Sequence, residues 1–147
     1  MEYVQFHKIP GKYMASLQRV HENVFGEPLS PSKLQDRPQF LALLAIEHEQ
    51  VIAFKFGYEV EQGVFYSWLG GVDPMYRRQG IAIQLMDMQH RILTSLGYEA
   101  VRTYSRNERK EMLIVNLKAG FNIVDTFTDH KGRHKIVLEK CLKKVES

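Results

Sequence analysis

At 147 residues the chain has room for one domain, and two independent cores would be cramped. Its apolar share of 44% and charged share of 25% are ordinary for a globular protein, so the core needs no disulfide or metal to hold it. A single cysteine, Cys141, rules out an internal disulfide and a cysteine-rich zinc site. The net charge of +3 and the pI of 9.0 are too weak and too dispersed to argue for nucleic acid, but they suit a locally bound anion. Met1 to Lys8 carries no apolar signal core, and no apolar run approaches the roughly 18 residues of a membrane span. The expectation is a cytoplasmic protein with no membrane and no nucleic-acid partner.

In chain order, Tyr3 to Phe6 alternates large residues and reads as a strand, closed by Pro10-Gly11. Tyr13/Met14, Leu17, Val20, Val24 and Phe25 follow one helical face, stopped by Gly26 and Pro28. Ser30-Pro31 resembles a helix start, predicting a short second helix to about residue 37, before Pro38. Three strands are expected next: Phe40 to Ile46, Val51 to Tyr58, and Val64 to Leu69. The short turns between them imply antiparallel hairpins. Ile81, Leu85, Met88, Ile92 and Leu96 mark the longest helix, with His90 expected on its outer side and Gly97 at its end. Ala100 to Ser105 reads as a strand. Ser105 and Glu108 sit at capping-box spacing before a helix through Met112, Leu113 and Leu117. Phe121 to Phe127 and His134 to Leu138 close the chain as a hairpin. The order β-α-α-β-β-β-α-β-α-β-β makes a single α/β domain over 1–147, of α+β type with a mixed sheet.

The chemistry concentrates in Val72-Asp73-Pro74-Met75-Tyr76-Arg77-Arg78-Gln79-Gly80-Ile81-Ala82. Here a strand turns into the long helix, whose first amides have no partners and carry the positive end of the dipole. Small residues at Gly80 and Ala82 let a phosphate approach, and Arg77 and Arg78 add two charges. The segment is neither a Walker loop nor a three-glycine dinucleotide fingerprint. A plain basic turn is the competing reading.

This pattern resembles the GNAT superfamily of acyl-CoA-dependent N-acyltransferases. The signature Arg/Gln-x-x-Gly-x-Gly/Ala matches Arg77-Arg78-Gln79-Gly80-Ile81-Ala82, after Val72-Asp73-Pro74. Asn107 and Gly120-Phe121 fall at the family's next landmarks, and the element order matches from Tyr3 to about Leu142. The resemblance implies a GNAT fold and an acetyl-CoA donor. Arg77, Arg78, Gln79, Gly80, Ile81 and Ala82 would hold the pyrophosphate. The strand at Gly71-Val72 would run beside the pantetheine, and the Val72 amide would polarise the thioester carbonyl. Asn107, Met112 and Asn116 would lie along the arm and the thiol end. It further implies N-acetyl transfer to a primary amine by direct attack in a ternary complex, and dimerisation by analogy.

One position departs from the family pattern. Many GNAT members have Tyr where this chain has Asn116, and Asn cannot act as a general acid. Tyr104 and Tyr66 are possible substitutes. Among Glu59, Glu61, Asp73 and His48, Glu59 is the leading candidate to deprotonate the acceptor amine, although a structural role fits each. Trp68 and Tyr66 fit an acceptor-pocket wall or plain sheet core. No metal is expected, because the six histidines are scattered. Lys140, Lys143 and Lys144 read as a solvated end. A non-catalytic acyl-CoA-binding module on the same fold is the alternative, and the sequence does not name the acceptor.

Overall fold

The computed structural model describes Met1–Leu142; Lys143 and Lys144 lie outside the described residues. Seven strands form one sheet: β1 (Glu2–Phe6), β2 (Leu41–Glu47), β3 (Gln50–Glu61), β4 (Val64–Val72), β5 (Ala100–Ser105), β6 (Asn122–Thr128) and β7 (His134–Cys141). Their order across the sheet is β1-β2-β3-β4-β5-β7-β6. Every neighbouring pair is antiparallel except β4–β5. The helices are α1 (Met14–Phe25), α2 (Ile81–Ser95) and α3 (Lys110–Lys118).

β2 is buried on both faces, as its unbroken apolar run requires, because it sits between two layers. On one face, Leu17 and Val20 of α1 pack with Phe54 and Phe56. On the other, Leu85 and Leu93 of α2 pack with Phe65, Val101 and Leu138, joined by Leu113 and Val115 of α3. The strand α2 leaves and the one it enters are parallel neighbours, as a helical crossover dictates.

Three local expectations need correction. The second helix is one 3-10 turn, Pro31–Leu34, because Gln35 is already extended (φ −89°, ψ 148°). The capping box does not form: Ser105 is the buried last residue of β5, and α3 starts at Lys110 with no side-chain cap. Lys140 belongs to β7 and is half-buried, not a solvated end.

β4 carries the decisive irregularity. Gly57 pairs with Ser67 and Phe56 pairs with Leu69, so Trp68 is an extra residue, a β-bulge. Gly57 is required beside it: a Cβ there would collide with the Phe65 ring and the Tyr66 carbonyl oxygen. Gly57→Ala is expected to destabilise the fold by about 1–3 kcal/mol through overpacking. The check is the urea midpoint, and an unchanged midpoint would contradict it.

Candidate active site

The parallel ladder between β4 and β5 covers only Val64–Tyr66 with Ala100–Arg102. Past it β4 continues to Val72 and β5 to Ser105 with no further pairing, so the two strands part. At the mouth of the parting, Thr103 Oγ1 donates to the Ser67 carbonyl at 3.1 Å, a side chain standing in for a ladder bond. Beyond that point the β5-facing edge of residues 68–72 has no partner strand, and its backbone groups need hydrogen bonds from elsewhere. β3 holds the other edge, down to the Asp73 amide on the Ile52 carbonyl at 2.8 Å.

Gly70 and Gly71 keep this segment slim. A Cβ on Gly71 would stand 3.1 Å from Val24 Cγ1, and one on Gly70 would stand 3.2 Å from the Phe54 carbonyl oxygen. The chain then turns over Pro74–Tyr76, where the Asp73 carboxylate accepts from the Met75 amide at 3.0 Å. Asp73 is thus a capping group of the turn. Arg78 (φ 64°) and Gly80 (φ 78°) both take left-handed backbone, a conformation used in turns that gather amides into an anion-binding concavity. The Gln84 amide bonds to the Gly80 carbonyl at 3.0 Å, so the amides of Ile81, Ala82 and Ile83 precede the first helical bond and lack helical acceptors. Ile81 is buried and anchors the helix start, while Arg77, Arg78, Gln79, Gly80 and Ala82 are exposed. Neither arginine has an ion pair or side-chain hydrogen bond among the described residues. An open groove of about 790 Å³ runs from Gly80 along α2, past Asp87 and Arg91, to His90 and Lys140.

The other expected residues divide by place. Gly71 and Val72 lie on the unpaired segment of β4. Asn107 is exposed in the turn after β5, and Met112 is exposed on α3. Asn116 is buried near the end of α3, its carbonyl accepting from the Ala119 and Phe121 amides. Tyr104 is on the opposite face of the sheet, edge-on to Tyr66 at 5.1 Å and to Phe127 at 5.9 Å. Burial, then the neighbouring Tyr58 and Tyr104, push the Tyr66 hydroxyl up to about 12, so it stays protonated.

Glu59 hydrogen-bonds Tyr98 and lines a hollow with Leu96 and Gly97, at the far end of α2 from Gly80. It is thus remote from the start of α2, while across the sheet it stands opposite Phe65, three residues before the Trp68 bulge, with its carboxylate taken up by Tyr98.

The fold matches a known architecture. No protein-family model and no curated protein sequence matches the chain. Among solved structures, an aminoglycoside 6'-N-acetyltransferase complexed with coenzyme A superposes with a TM-score of 0.81 at 12% identity, over 100% of both chains. The ribosomal-protein-S18-alanine N-acetyltransferase of Escherichia coli gives 0.77 at 16% identity, over 99% of this chain and 97% of that one. A chain described as an acetyltransferase of the GNAT family, from Desulfovibrio desulfuricans, gives 0.77 at 13% identity, over 97% and 100%. This chain has the GNAT acyltransferase fold.

Within the GNAT fold, several groups near the parting of β4 and β5 carried no sequence signal. Arg37 and Tyr58 join Trp68 and Tyr66 on the α1 face. Lys55 faces Gly70 across β3–β4, its Cγ 3.7 Å from where a Gly70 Cβ would stand, and burial lowers its amine to about 8. His90, expected outside, is only 7% exposed, because α2 turns it onto β7 and Phe121. Its Nδ1 lies 3.2 Å from Lys140 Nζ, and its Nε2 is buried without a partner. Burial, then the Lys140 and Lys55 ammonium groups, hold the imidazole down at about 4.

A stability prediction follows from His90. Its folded value lies below the unfolded 6.5, so the unfolded chain binds more protons between about pH 4 and 6.5. Stability contributed by the neutral ring is complete above about 6.5 and is lost as pH falls to 4, at roughly 1.4 kcal/mol per pH unit. His90→Leu should flatten the pH dependence of the denaturation midpoint in that window. An unchanged slope would contradict the assignment.

Proposed function

We propose that this chain is an N-acetyltransferase that moves the acetyl group of acetyl-CoA to a primary amine by direct attack. The observation carrying this reading is a juxtaposition. An unpaired, glycine-lined strand segment ends within a few residues of a helix start with free amides and two unpaired arginines. A pyrophosphate suits the second feature and an amide-bearing arm suits the first, and coenzyme A has both in that order. The coenzyme A complex of a protein with the same fold supports it.

In this reading the donor supplies an activated thioester. Arg77, Arg78 and the amides from Gln79 to Ala82 bind its phosphates. The edge at Gly71-Val72 hydrogen-bonds the arm, and a β4 amide polarises the thioester carbonyl. Asn107, Met112 and Asn116 line the arm from the α3 side. The amine attacks from the opposite face, past Tyr66, Trp68 and Tyr104. Sulfur leaves as thiolate, which Asn116 can stabilise by donating a hydrogen bond but cannot protonate. The cationic Lys55 beside Gly70 favours the same departure electrostatically. Tyr66 keeps its hydroxyl proton to donate on the acceptor side, with the Tyr104 ring edge-on beside it. With the Glu59 carboxylate taken up by Tyr98, water is left to take the proton of the attacking amine.

A second reading, a non-catalytic acyl-CoA-binding module, is favoured by the engagement of Glu59 with Tyr98 and by Asn116. The two separate on release of free coenzyme thiol with a broad amine panel. Acceptor-dependent release supports transfer, and binding without it supports the module. For the donor site, Arg77→Ala should weaken acetyl-CoA binding about five- to ten-fold. Gly80→Glu should weaken it more, by setting a carboxylate against phosphate and forcing a side chain into left-handed backbone. Calorimetric titration reads both, and wild-type affinity in both variants would displace the cradle.

A further inference from the structure

Arg37 is the one cation set into the aromatic cluster on the α1 face of β3 and β4. Its guanidinium carbon lies 4.8 Å from the Tyr58 ring centre and 4.6 Å from that of Trp68, the bulge residue. Its Nε donates to the Lys33 carbonyl at 2.9 Å and its Nη1 to the Tyr58 hydroxyl at 3.2 Å. Tyr58 is in turn edge-on to Tyr66 at 5.4 Å and to Trp68 at 5.7 Å. Rings and hydrogen bonds therefore fix the guanidinium plane. Of its five N–H donors, three have no partner.

No carboxylate among the described residues pairs with Arg37. The acids of this part of the sheet are committed elsewhere. Glu61 and Glu139 hold Arg102 at 3.0 and 3.4 Å, Asp129 holds Arg133 at 2.9 Å, and Asp125 caps the Thr126 amide. Beside Arg37 the rings of Tyr66, Tyr104 and Phe127 continue in a row, the last two exposed. A fixed guanidinium with free parallel N–H bonds is matched by a carboxylate, and the ring row by an apolar skeleton.

Resting on the acetyl-transfer reading, we propose that the acceptor is a small amine bearing a carboxylate, which Arg37 binds while its carbon skeleton lies on Tyr66, Tyr104 and Phe127. The cation at Arg37 also repels the extra charges of a polycationic acceptor, although the exposed Asp36 next to it has no ion pair among the described residues.

Trp68 is the sole tryptophan and touches Arg37, so its fluorescence reports occupancy without turnover. The probes are 3-phenylpropionate and its amide, which differ only in charge. Wild type should bind the carboxylate about ten-fold or more tightly than the amide. Arg37→Met should lose that preference, and Arg37→Lys should keep part of it, with acetyl-CoA affinity confirming that each variant is folded. Equal affinities, no binding at millimolar concentration, or a preference surviving in Arg37→Met would overturn the proposal. Thiol release is read separately. Turnover with polyamines but not amino acids would sink the carboxylate proposal and spare acetyl transfer. A carboxylate preference with no turnover of any amine would sink transfer and spare the Arg37 site.

Discussion

The structure depends on a failure of strand pairing. β4 and β5 share three residue pairs and then separate, although both strands continue. A parallel pair in the middle of a sheet would ordinarily stay paired along its length, since each unmade backbone bond costs about 1–3 kcal/mol when buried. The bulge at Trp68 bends β4 away, and the Thr103 hydroxyl closes the last satisfied position. Beyond it, the β5-facing edge of β4 from Trp68 to Val72 has no strand partner.

The two layers of the sheet carry different side chains. On the α2 and α3 side, the exposed Arg77 and Arg78 precede the start of α2. On the α1 face, Arg37, Tyr58, Tyr66, Trp68 and Tyr104 form one ring-and-guanidinium cluster. Arg77, Arg78 and Arg37 have no carboxylate partner among the described residues, while Arg102 and Arg133 sit in ion pairs. Such an arrangement suits an anionic donor on one side and an acceptor with at least one negative group on the other.

What could be read from the sequence was whatever leaves a local trace. The stripe from Ile81 to Leu96 announced α2, and Gly26 and Gly97 announced helix ends. The antiparallel hairpins followed from turn spacing, but the placement of β7 between β5 and β6 did not. Features made by tertiary geometry left no such trace. A bulge is a matter of register between two strands, so Trp68 looked like an ordinary alternating residue. Arg37 stood in a loop next to Pro38, and its cation–π contacts exist only once β3 and β4 are adjacent. His90 faced outward on the helical wheel, but β7 and Phe121 wrap that side of α2. Glu59 had the right chemistry, but its hydrogen bond to Tyr98 forms only once the turn after α2 packs beside β3.

The central claim is that the parted segment of β4 and the start of α2 together hold a coenzyme A arm and its phosphates. Amide-resolved NMR titration with coenzyme A tests this most directly. Perturbation of the amides of Gly70 to Val72 and of Arg78 to Ile83, together and at the same concentration dependence, is the predicted result. Binding that moves only amides of the groove from Asp87 to Thr94, or leaves Gly70 to Val72 unchanged, would contradict the account.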